Sequence, residues 1–469
     1  MKNIFKFLVL VITISTVFIS CTDNDDNPQT SGSVQDFIWK GLNFYYLYQE
    51  QVPNLSDTKN TNQNDLNNFL ANYETPEILF ESLIFNRQNI DKFSVLFSNY
   101  NTLEGLLSGT TKNNGLELGF AAKSGSSTDV FGYVKYIMPN SDAATKPIAR
   151  GTLFTGVNGQ TLTRSNFRSL INQDNYTLNL ADYNAGAITP NGQSVSLSKS
   201  VYTENPVLLR NTHVVGARKM GYLVYNGFYT NFETELNNAF AYFKGENVTD
   251  LILDLRYNSG GSIATATRLA SMITGQFNNQ IFSQQQWNSK ILSRLSPESL
   301  YDRFTNKLGN GAAINSLDLT KVYILTTGSS ASASELVINC LKPYINVVQI
   351  GTKTVGKNVG SITVYDSPTF RKKDVNPNHN YAMQPIVIKT LNVVGFGDYS
   401  SGIEPSTANL LPEDLGNLGV LGNPNELLLA KALNIISLGG RSAQQTNYKV
   451  FEEIIDKNTR NLESEMYLN

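Results

Sequence analysis

The sequence predicts an α/β protein with a mostly parallel main sheet, preceded by a helical segment and a β-rich segment. From about residue 206, short continuous apolar strands alternate with helices, which is typical of a parallel sheet covered on both faces. Between residues 101 and 200, glycine and β-branched residues are frequent and apolar runs are short, which favours a small β domain. The predicted parts are a leader (1–21), a tether (22–32), a helical N-terminal domain (33–100), a β-rich domain (101–200), an α/β core (206–440) and a tail (441–469).

Composition narrows the function before any motif is considered. The chain has 469 residues, of which 41% are apolar and 16% charged, so it has enough apolar material for two or three domains. Its net charge of −2 argues against a nucleic-acid partner, which would require a basic excess. Two cysteines and two histidines are too few for a disulfide framework, a Cys/His zinc site or an iron–sulfur protein. We therefore expect neither a metal nor a cofactor.

The leader resembles the signal peptide of a bacterial lipoprotein. Lys2 and Lys6 precede an apolar run at 7–19 that is too short to span a bilayer, and Ser20 then precedes Cys21 as in a lipobox. Cys21 would be the lipid attachment site, so we expect a protein anchored in the cell envelope, at the outer membrane. The alternative is an ordinary signal peptide with a chance cysteine.

Two further expectations depend on that anchor. An acidic cluster at residues 22–27 resembles the surface-export signal of Bacteroidota lipoproteins, and its alternative is a solvated acidic linker. If Cys21 carries the lipid, Cys340 has no intrachain partner. The apolar helical context of Cys340 then predicts a buried and inert thiol.

Capping and periodicity predict the individual elements in order. Ser33 and Asp36 form a capping box that starts a helix, Pro53 closes that segment, and a helical pattern also runs over 76–100. Strand-like runs in the β-rich domain lie at 116–120, 130–138, 153–157, 176–180 and 195–197. In the core, strands are predicted at 221–225, 250–255, 322–326 and 347–351, and helices at 232–243, 263–273 and 333–341.

Three loops follow predicted core strands, at the end of the sheet where reactive side chains gather in such folds. They span residues 257–261, 327–335 and 352–358. Small residues around Ser332 let a substrate backbone approach. The helix that begins at Ala333 offers free N–H groups and a positive dipole end, which suit an oxyanion.

Together these loops predict a hydrolase with a serine nucleophile. Gly260 or Gly261 would supply a second oxyanion donor without side-chain hindrance. For the base, His213 and His379 have no motif around them, whereas Lys357 stands in a tight loop after a strand. A lysine base must be neutral, and burial can lower a lysine pKa by up to roughly 3–5 units. Lys357 is therefore the preferred base, in a Ser-Lys dyad.

The same loops resemble the carboxy-terminal processing peptidases, also called tail-specific proteases, which are Ser/Lys endopeptidases. The match is carried by D-L-R-Y-N-S-G-G at 254–261, S-A-S-A-S-E at 330–335 and T-V-G-K at 354–357. By this resemblance Ser332 is the nucleophile and Lys357 is the base. The resemblance also implies a core of the crotonase/ClpP-like type with an inserted or preceding PDZ domain.

Residues around the dyad follow the family pattern with one difference. The family usually has a glutamine four residues after the lysine, where this chain has Ser361, whose hydroxyl can still bind an amine. Asp254 and Arg256 are expected to be structural rather than catalytic, either as an ion pair at a strand end or as a brace for the turn. Glu335 is expected to interact with the positive end of its helix.

The β-rich domain resembles a PDZ domain over residues 134–160. Its carboxylate-binding loop would be formed by Gly115, Leu116, Glu117 and Leu118. Such a loop binds a peptide carboxylate through backbone N–H groups while the peptide extends a sheet edge. The alternative is a β domain that only packs against the core.

The predicted function is a lipid-anchored serine endopeptidase that captures polypeptide C-termini as substrates. One alternative is a non-catalytic, peptide-binding envelope lipoprotein on the same fold. Another is an envelope hydrolase of non-peptide esters, which would turn over small esters without cleaving any protein.

Overall fold

The computed structural model describes residues 33–438, 448–454 and 466–468. Its α-helices are α1 (Val34–Tyr45), α2 (Gln63–Leu70), α3 (Pro76–Ser82), α4 (Tyr100–Leu107), α5 (Phe167–Ile171), α6 (Glu233–Gly245), α7 (Ile263–Thr274), α8 (Ser289–Leu292), α9 (Ala333–Leu341) and α10 (Leu427–Leu438). Its strands up to the core are β1 (Val95–Phe97), β2 (Thr110–Asn113), β3 (Leu116–Ala122), β4 (Val130–Ile137), β5 (Leu153–Val157), β6 (Gln160–Thr161), β7 (Asn175–Asn184), β8 (Ala187–Ser198) and β9 (Ser200–Thr203).

The strands of the core complete the element order. They are β10 (Val207–Val215), β11 (Arg218–Tyr225), β12 (Asp250–Asp254), β13 (Gly261–Ser262), β14 (Ile281–Trp287), β15 (Tyr301–Arg303), β16 (Lys321–Thr326), β17 (Asn346–Gly351), β18 (Val359–Ser361), β19 (Val364–Tyr365), β20 (Ala382–Gln384), β21 (Ile386–Asn392) and β22 (Met466–Tyr467).

The main sheet has the order β10-β11-β12-β16-β17 and confirms the predicted α/β class. Strands β11, β12, β16 and β17 are parallel, and β10 adds an antiparallel edge. Leu251 and Leu253 face a hydrophobic cluster that includes α6, α7 and α9. Ile252, between them, faces α10 on the opposite side. Alternate side chains of one strand are therefore buried on both faces, which explains the continuous apolar runs.

A second sheet, with the order β13-β22-β18-β21-β14-β15, lies in the same core. The sequence pattern does not predict this sheet. Strands such as Gly261–Ser262 and Val359–Ser361 are too short to show an alternating pattern. One of its inner strands, Met466–Tyr467, comes from the far end of the described chain.

The β-rich region forms a sheet with the order β3-β4-β5-β7-β8, in which β6 pairs with β5. Two hydrophobic clusters pack against it, one around Phe120 and Phe154 and the other around Phe131 and Tyr133. Strand β3 lies at the edge of this sheet, and the outer side of its backbone pairs with the described segment 448–454.

The N-terminal segment is only partly as predicted. Ser33 caps α1 as expected, because its hydroxyl accepts the N–H of Asp36 at 3.3 Å. The helical prediction for 76–100 is wrong beyond α3. The Asp91 carboxylate accepts the N–H groups of Phe93 and Ser94, at 3.0 and 2.9 Å, and this turn leads into strand β1 instead.

The remaining predictions concern Cys340, the leader with Cys21, and attachment to a membrane. Cys340 is buried in α9, and burial raises the pKa of its thiol, as expected for an inert cysteine. The predicted leader, the tether and Cys21 lie outside the described residues. Within the described ranges, the helices are too short or too polar to cross a bilayer.

Candidate active site

Ser332 lies in the loop between β16 and α9, directly before the helix. Its φ of +62° is in the region that favours glycine, so the surrounding structure must hold this backbone in place. The side chain is buried, and its Oγ has no hydrogen-bond partner within the described part of the chain. A buried hydroxyl without a partner is uncommon and indicates a group kept available for another purpose.

Glu335 joins the Ser332 loop to the Lys357 loop. Its Oε2 accepts the backbone N–H groups of Ser332 and Lys357, both at 2.8 Å. Its Oε1 accepts the N–H of Gly356 at 2.6 Å and the hydroxyl of Thr354. Burial raises the pKa of this carboxyl, and these hydrogen bonds offset part of the effect. The sequence pattern predicts only a helix-dipole role for Glu335 and does not reveal this bridge.

Lys357 is fully buried in the loop after β17. Its Nζ lies 4.9 Å from the centre of the Phe93 ring, so the N-terminal segment forms one wall of the lysine environment. Val355, two residues earlier, donates its N–H to the Ser330 carbonyl at 3.0 Å. The loops of Ser332 and Lys357 are thus bonded to each other through main-chain and side-chain groups.

Asn258 organises the third loop. Its Oδ1 accepts the N–H of Gly260 at 2.9 Å, and its carbonyl accepts the N–H of Ala331 at 3.1 Å. The Gly260 N–H, which we predicted as an oxyanion donor, is therefore already occupied. Gly261 has a φ of +134°, and a Cβ there would lie 2.5 Å from the Phe228 carbonyl oxygen, so only glycine fits.

A buried charge cluster supports the start of that loop. Arg256 forms ion pairs with Asp254 at 2.8 Å, Glu426 at 2.7 Å and Glu413 at 3.0 Å. Arg150, from the β-rich region, also pairs with Glu413 at 2.7 Å. Burial alone would raise the pKa of Glu413, but the two guanidinium groups lower it to about 2. The expected Asp254–Arg256 ion pair is confirmed, and the three other members of the cluster, Arg150, Glu413 and Glu426, could not be found from the sequence pattern.

Ser361 lies in β18, and its hydroxyl contacts two acceptors. One is the side-chain oxygen of Gln384, and the other is the carbonyl of Met466 at 3.2 Å. Gln384 is fully buried and donates its amide N–H to Thr363 at 2.8 Å, which fixes its orientation. A glutamine is therefore present beside Ser361, but it comes from strand β20, where sequence spacing could not reveal it.

Neither histidine lies in the Ser332 loop cluster. His213 pairs with Met220, which pairs in turn with Asp250, the first residue of β12. This position is at the opposite end of the parallel strands from the Ser332 loop. His379 has only 10% of its side chain exposed and pairs with Asp366 at 2.9 Å.

The predicted carboxylate-binding loop is only partly open. Gly115 donates its N–H to Asn113 Oδ1 at 2.8 Å, and Leu116 donates its N–H to Asn114 Oδ1 at 3.2 Å. Two of the expected N–H donors are therefore already occupied.

Glu117 and Leu118 lie in β3 and pair with β4. Glu117 also pairs with Lys135 at 3.5 Å, and Lys135 contacts the Ser329 hydroxyl at 3.4 Å. This contact connects the β-rich region with the Ser332 loop. No group of three or more acidic, histidine or cysteine side chains within the described ranges is arranged to hold a metal ion.

Known proteins are similar to this chain in sequence. A Staphylococcus epidermidis protein named as a CtpA-like serine protease is 25% identical over 264 residues, covering 51% of this chain and 51% of that protein. A Staphylococcus aureus protein of the same name is 24% identical over 265 residues, covering 51% and 50%. The chain spans about half the length of the curated relatives it matches.

Structure and family comparisons extend the similarity to most of the chain. A crystal structure of a Bacteroides fragilis protein assigned to the S41 proteases superimposes with a TM-score of 0.67 at 25% identity, covering 86% of this chain and 97% of that one. Residues 219–366 match the model of peptidase family S41, and residues 33–95 match the model of the peptidase S41 N-terminal domain. These matched ranges include both Ser332 and Lys357, and the chain belongs to peptidase family S41.

Proposed function

We propose that the protein is a serine endopeptidase in which Ser332 is the nucleophile and Lys357 is the general base. The observation that carries the proposal is the shared Glu335 carboxylate, which holds the backbone N–H groups of Ser332 and Lys357 at 2.8 Å each. This one carboxylate thereby fixes the distance and orientation between the Ser332 loop and the Lys357 loop. Such positioning can lower the activation free energy by on the order of 7–11 kcal/mol in favourable cases.

The reaction starts with proton transfer from Ser332 to the neutral amine of Lys357. The serine oxygen bonds to the peptide carbonyl carbon, and the lysine then passes its proton to the leaving amine as the C–N bond breaks. Water hydrolyses the resulting acyl ester by the reverse proton path. Complete burial of Lys357 supports this role, because loss of hydration disfavours the charged ammonium form.

The oxyanion would be stabilised by backbone N–H groups of Gly261 and Ala333. Ala333 is the first residue of α9, where a helix has N–H groups without intrahelical partners. Gly260 is assigned to the loop structure instead, because its N–H already donates to Asn258. Removing one N–H donor from an oxyanion hole raises the activation free energy by about 2.7–4 kcal/mol.

Ser361 would orient the Lys357 amine, with Gln384 supporting Ser361. The hydroxyl proton of Ser361 can point to the Gln384 oxygen, and its lone pairs then face away from that bond and can accept an amine N–H. Gln384 would thus replace, from another strand, the glutamine that related sequences carry four residues after the lysine.

Polypeptide capture would use the edge of strand β3 rather than a complete carboxylate loop. The occupied N–H groups of Gly115 and Leu116 argue for strand addition as the main source of affinity. The charge cluster around Arg150 and Glu413 joins this region to the Gly260 loop, so the two parts keep a defined geometry.

The decisive experiment compares wild type, Ser332→Ala and Lys357→Arg on an unstructured protein, with mass spectrometry of the fragments. We expect cleavage only by wild type, because arginine keeps its proton at workable pH and cannot act as a base. The wild-type rate should rise with pH as Lys357 deprotonates. Equal cleavage by Ser332→Ala would refute the proposal, and ester turnover without protein cleavage would favour a different hydrolase.

We further propose that Cys21 carries a lipid that attaches the protein to the cell envelope. The support is the order of basic, apolar and Ser-Cys residues in the leader. Detergent partitioning of wild type and Cys21→Ser tests it, and retention of Cys21→Ser in the detergent phase would contradict the anchor.

A further inference from the structure

Two segments near the end of the sequence are described, 448–454 and 466–468, and each is paired with a strand that takes part in the proposed function. Strand β3 is the proposed capture edge, and strands β13 and β18 contain Gly261 and Ser361. The 448–454 segment pairs with the edge strand β3, and the 466–468 segment pairs with β13 and β18 in the second sheet.

The 448–454 segment extends the β-rich sheet in the way a captured peptide would. Ala122 donates its N–H to the Glu452 carbonyl at 2.8 Å, and Ile454 donates its N–H to the Phe120 carbonyl at 2.7 Å. Ala121 and Glu453 form an antiparallel bridge. The segment therefore runs toward the start of β3, where the predicted carboxylate-binding loop lies.

Apolar side chains hold the same segment against the sheet. Phe451 is 7% exposed, and its ring centre lies 5.0 Å from that of Phe131 in an edge-on contact. Ile454 packs against the cluster that contains Phe120. Phe451 and Ile454 contact two different clusters, and main-chain hydrogen bonds together with side-chain contacts are the usual basis of peptide recognition by strand addition.

The 466–468 segment fills a slot one strand wide. In the sheet order β13-β22-β18, Met466 pairs with Gly261, and Tyr467 pairs with both Ser262 and Ser361. Neighbouring strands lie about 4.8 Å apart, so the space between β13 and β18 accepts a single extended chain.

This slot adjoins the proposed reaction centre on both sides. Gly261 is the proposed oxyanion donor, and Ser361 is the proposed partner of the Lys357 amine. Leu468 donates its N–H to the Ser361 carbonyl at 3.0 Å, and the Ser361 hydroxyl contacts the Met466 carbonyl at 3.2 Å. A substrate strand needs the same groups and cannot use them while the segment is bound.

We infer that these two segments form an intramolecular pseudosubstrate, which occupies the peptide edge and the catalytic slot until a polypeptide displaces it. The inference rests on the proposed endopeptidase function. It is consistent with the burial of Ser332, which has no exposed surface in this state. A partner that displaces the segments must be an extended chain with apolar side chains at intervals, as in Phe451, Ile454 and Met466.

Displacement of the 466–468 segment is feasible because strand β22, which fills the slot, is short. Strand β22 has two residues, and its side-chain bonds include the one from the Tyr467 hydroxyl to the Leu107 carbonyl at 3.0 Å. Beside it, a cavity of about 360 Å³ is lined in part by Leu107, Tyr467 and Leu468, which leaves room for side-chain movement. Short strands of this kind open locally at low cost.

The test uses the full chain with Leu468→Pro, which removes the N–H that binds Ser361, and Leu468→Ala as the matched control that keeps it. We expect kcat/KM on an unstructured protein to rise at least fivefold in Leu468→Pro and less than twofold in Leu468→Ala. A synthetic peptide of residues 462–469 should inhibit Leu468→Pro competitively, and the same peptide with proline for Leu468 should not.

A second pair keeps the inference testable if Leu468→Pro does not fold. Ile454→Pro removes the N–H that binds Phe120, and Ile454→Ala retains it, so only Ile454→Pro should lower KM for long polypeptides. Ser332-dependent cleavage that is equal in wild type and both proline variants would overturn the inference while leaving the proposed function intact. If no variant cleaves, calorimetry of the peptide decides: binding to Leu468→Pro but not to wild type supports the inference, and no binding to either overturns it.

Discussion

Two buried carboxylates support the loops of the candidate active site, and their environments are opposite. Glu335 accepts hydrogen bonds from neutral donors, namely three backbone N–H groups and the Thr354 hydroxyl. Glu413 lies at a similar depth but faces two guanidinium groups, Arg150 and Arg256. Burial raises the pKa of Glu335, whereas the neighbouring cations lower the pKa of Glu413 to about 2.

The difference separates two kinds of support for the same loops. The Glu335 bridge depends on the geometry of donors and positions the reacting residues. The Glu413 cluster depends on charge and connects the β-rich region to the Gly260 loop. Changes to the first should therefore affect mainly catalysis, and changes to the second should affect mainly stability and its dependence on pH.

The largest expected effect is that of Glu335→Gln on catalysis. The amide keeps the shape of the carboxylate but places an NH₂ group against two of the four donors. We expect kcat to fall about 100-fold with little change in KM, because small displacements of reacting groups cost about that much. Steady-state kinetics measure it, with the exposed Glu298→Gln as control. A wild-type kcat in Glu335→Gln would show that the bridge does not position the dyad.

The second prediction concerns Glu413→Gln and stability. The folded-state pKa of about 2 lies below the usual 4.5, so the ionised carboxylate stabilises the fold above pH 4.5, and this contribution is lost as pH falls toward 2. We expect the free energy of unfolding at pH 7 to drop by roughly 3 kcal/mol and the difference from wild type to shrink on acidification.

Urea unfolding at pH 7 and pH 3.5 measures this difference. The control is Glu404→Gln, whose surface ion pair with Lys353 should contribute less than about 1 kcal/mol. A difference between wild type and Glu413→Gln that is the same at both pH values would contradict the electrostatic explanation.

A third carboxylate, Glu204, extends the comparison because it accepts hydrogen bonds from two neutral donors, the Tyr136 hydroxyl at 3.2 Å and the Asn226 amide at 3.4 Å. Burial, and then repulsion from Glu117, raise its pKa to about 7. The folded state therefore favours the protonated form of Glu204. The contribution of this protonated carboxyl to the free energy of unfolding is complete below pH 4.5 and is lost as the pH rises through 7.

We expect Glu204→Gln to be more stable than wild type at pH 8 by about 1–2 kcal/mol, a value reduced because the side chain is partly exposed. Thermal unfolding at pH 5 and pH 8 checks this, and a destabilised variant at pH 8 would contradict it.

The smallest expected effect is that of Ser330→Ala. The Ser330 hydroxyl donates to the Leu255 carbonyl at 2.8 Å and accepts the Thr327 N–H at 3.0 Å, which joins two of the site loops. Its loss should cost about 1–2 kcal/mol of stability. Because the Glu335 bridge remains intact, kcat should change less than about tenfold, as measured by the same steady-state assay. A larger fall in kcat than in Glu335→Gln would reverse the proposed order of importance.

Local patterns predicted most of the main sheet because its elements are long and apolar. Helix α9 has the predicted bounds, 333–341, and strand β12 ends one residue earlier than predicted. Prediction was wrong at 83–99, where the chain leaves the helix after Ser82 and the Asp91 carboxylate binds backbone N–H groups ahead of strand β1. It missed the second sheet, because strands of two or three residues carry no periodic signal.

The sequence by itself determined the α/β class, the order of strands and helices, and the two short motifs that contain Ser332 and Lys357. These features depend on side-chain spacing along the chain, which can be seen without coordinates. Only the tertiary structure decided which carboxylate joins the two motifs, that Gln384 lies beside Ser361, and that residues 466–468 pair with Gly261. Such contacts join residues that are far apart in sequence, and their geometry is set by packing rather than by local propensity.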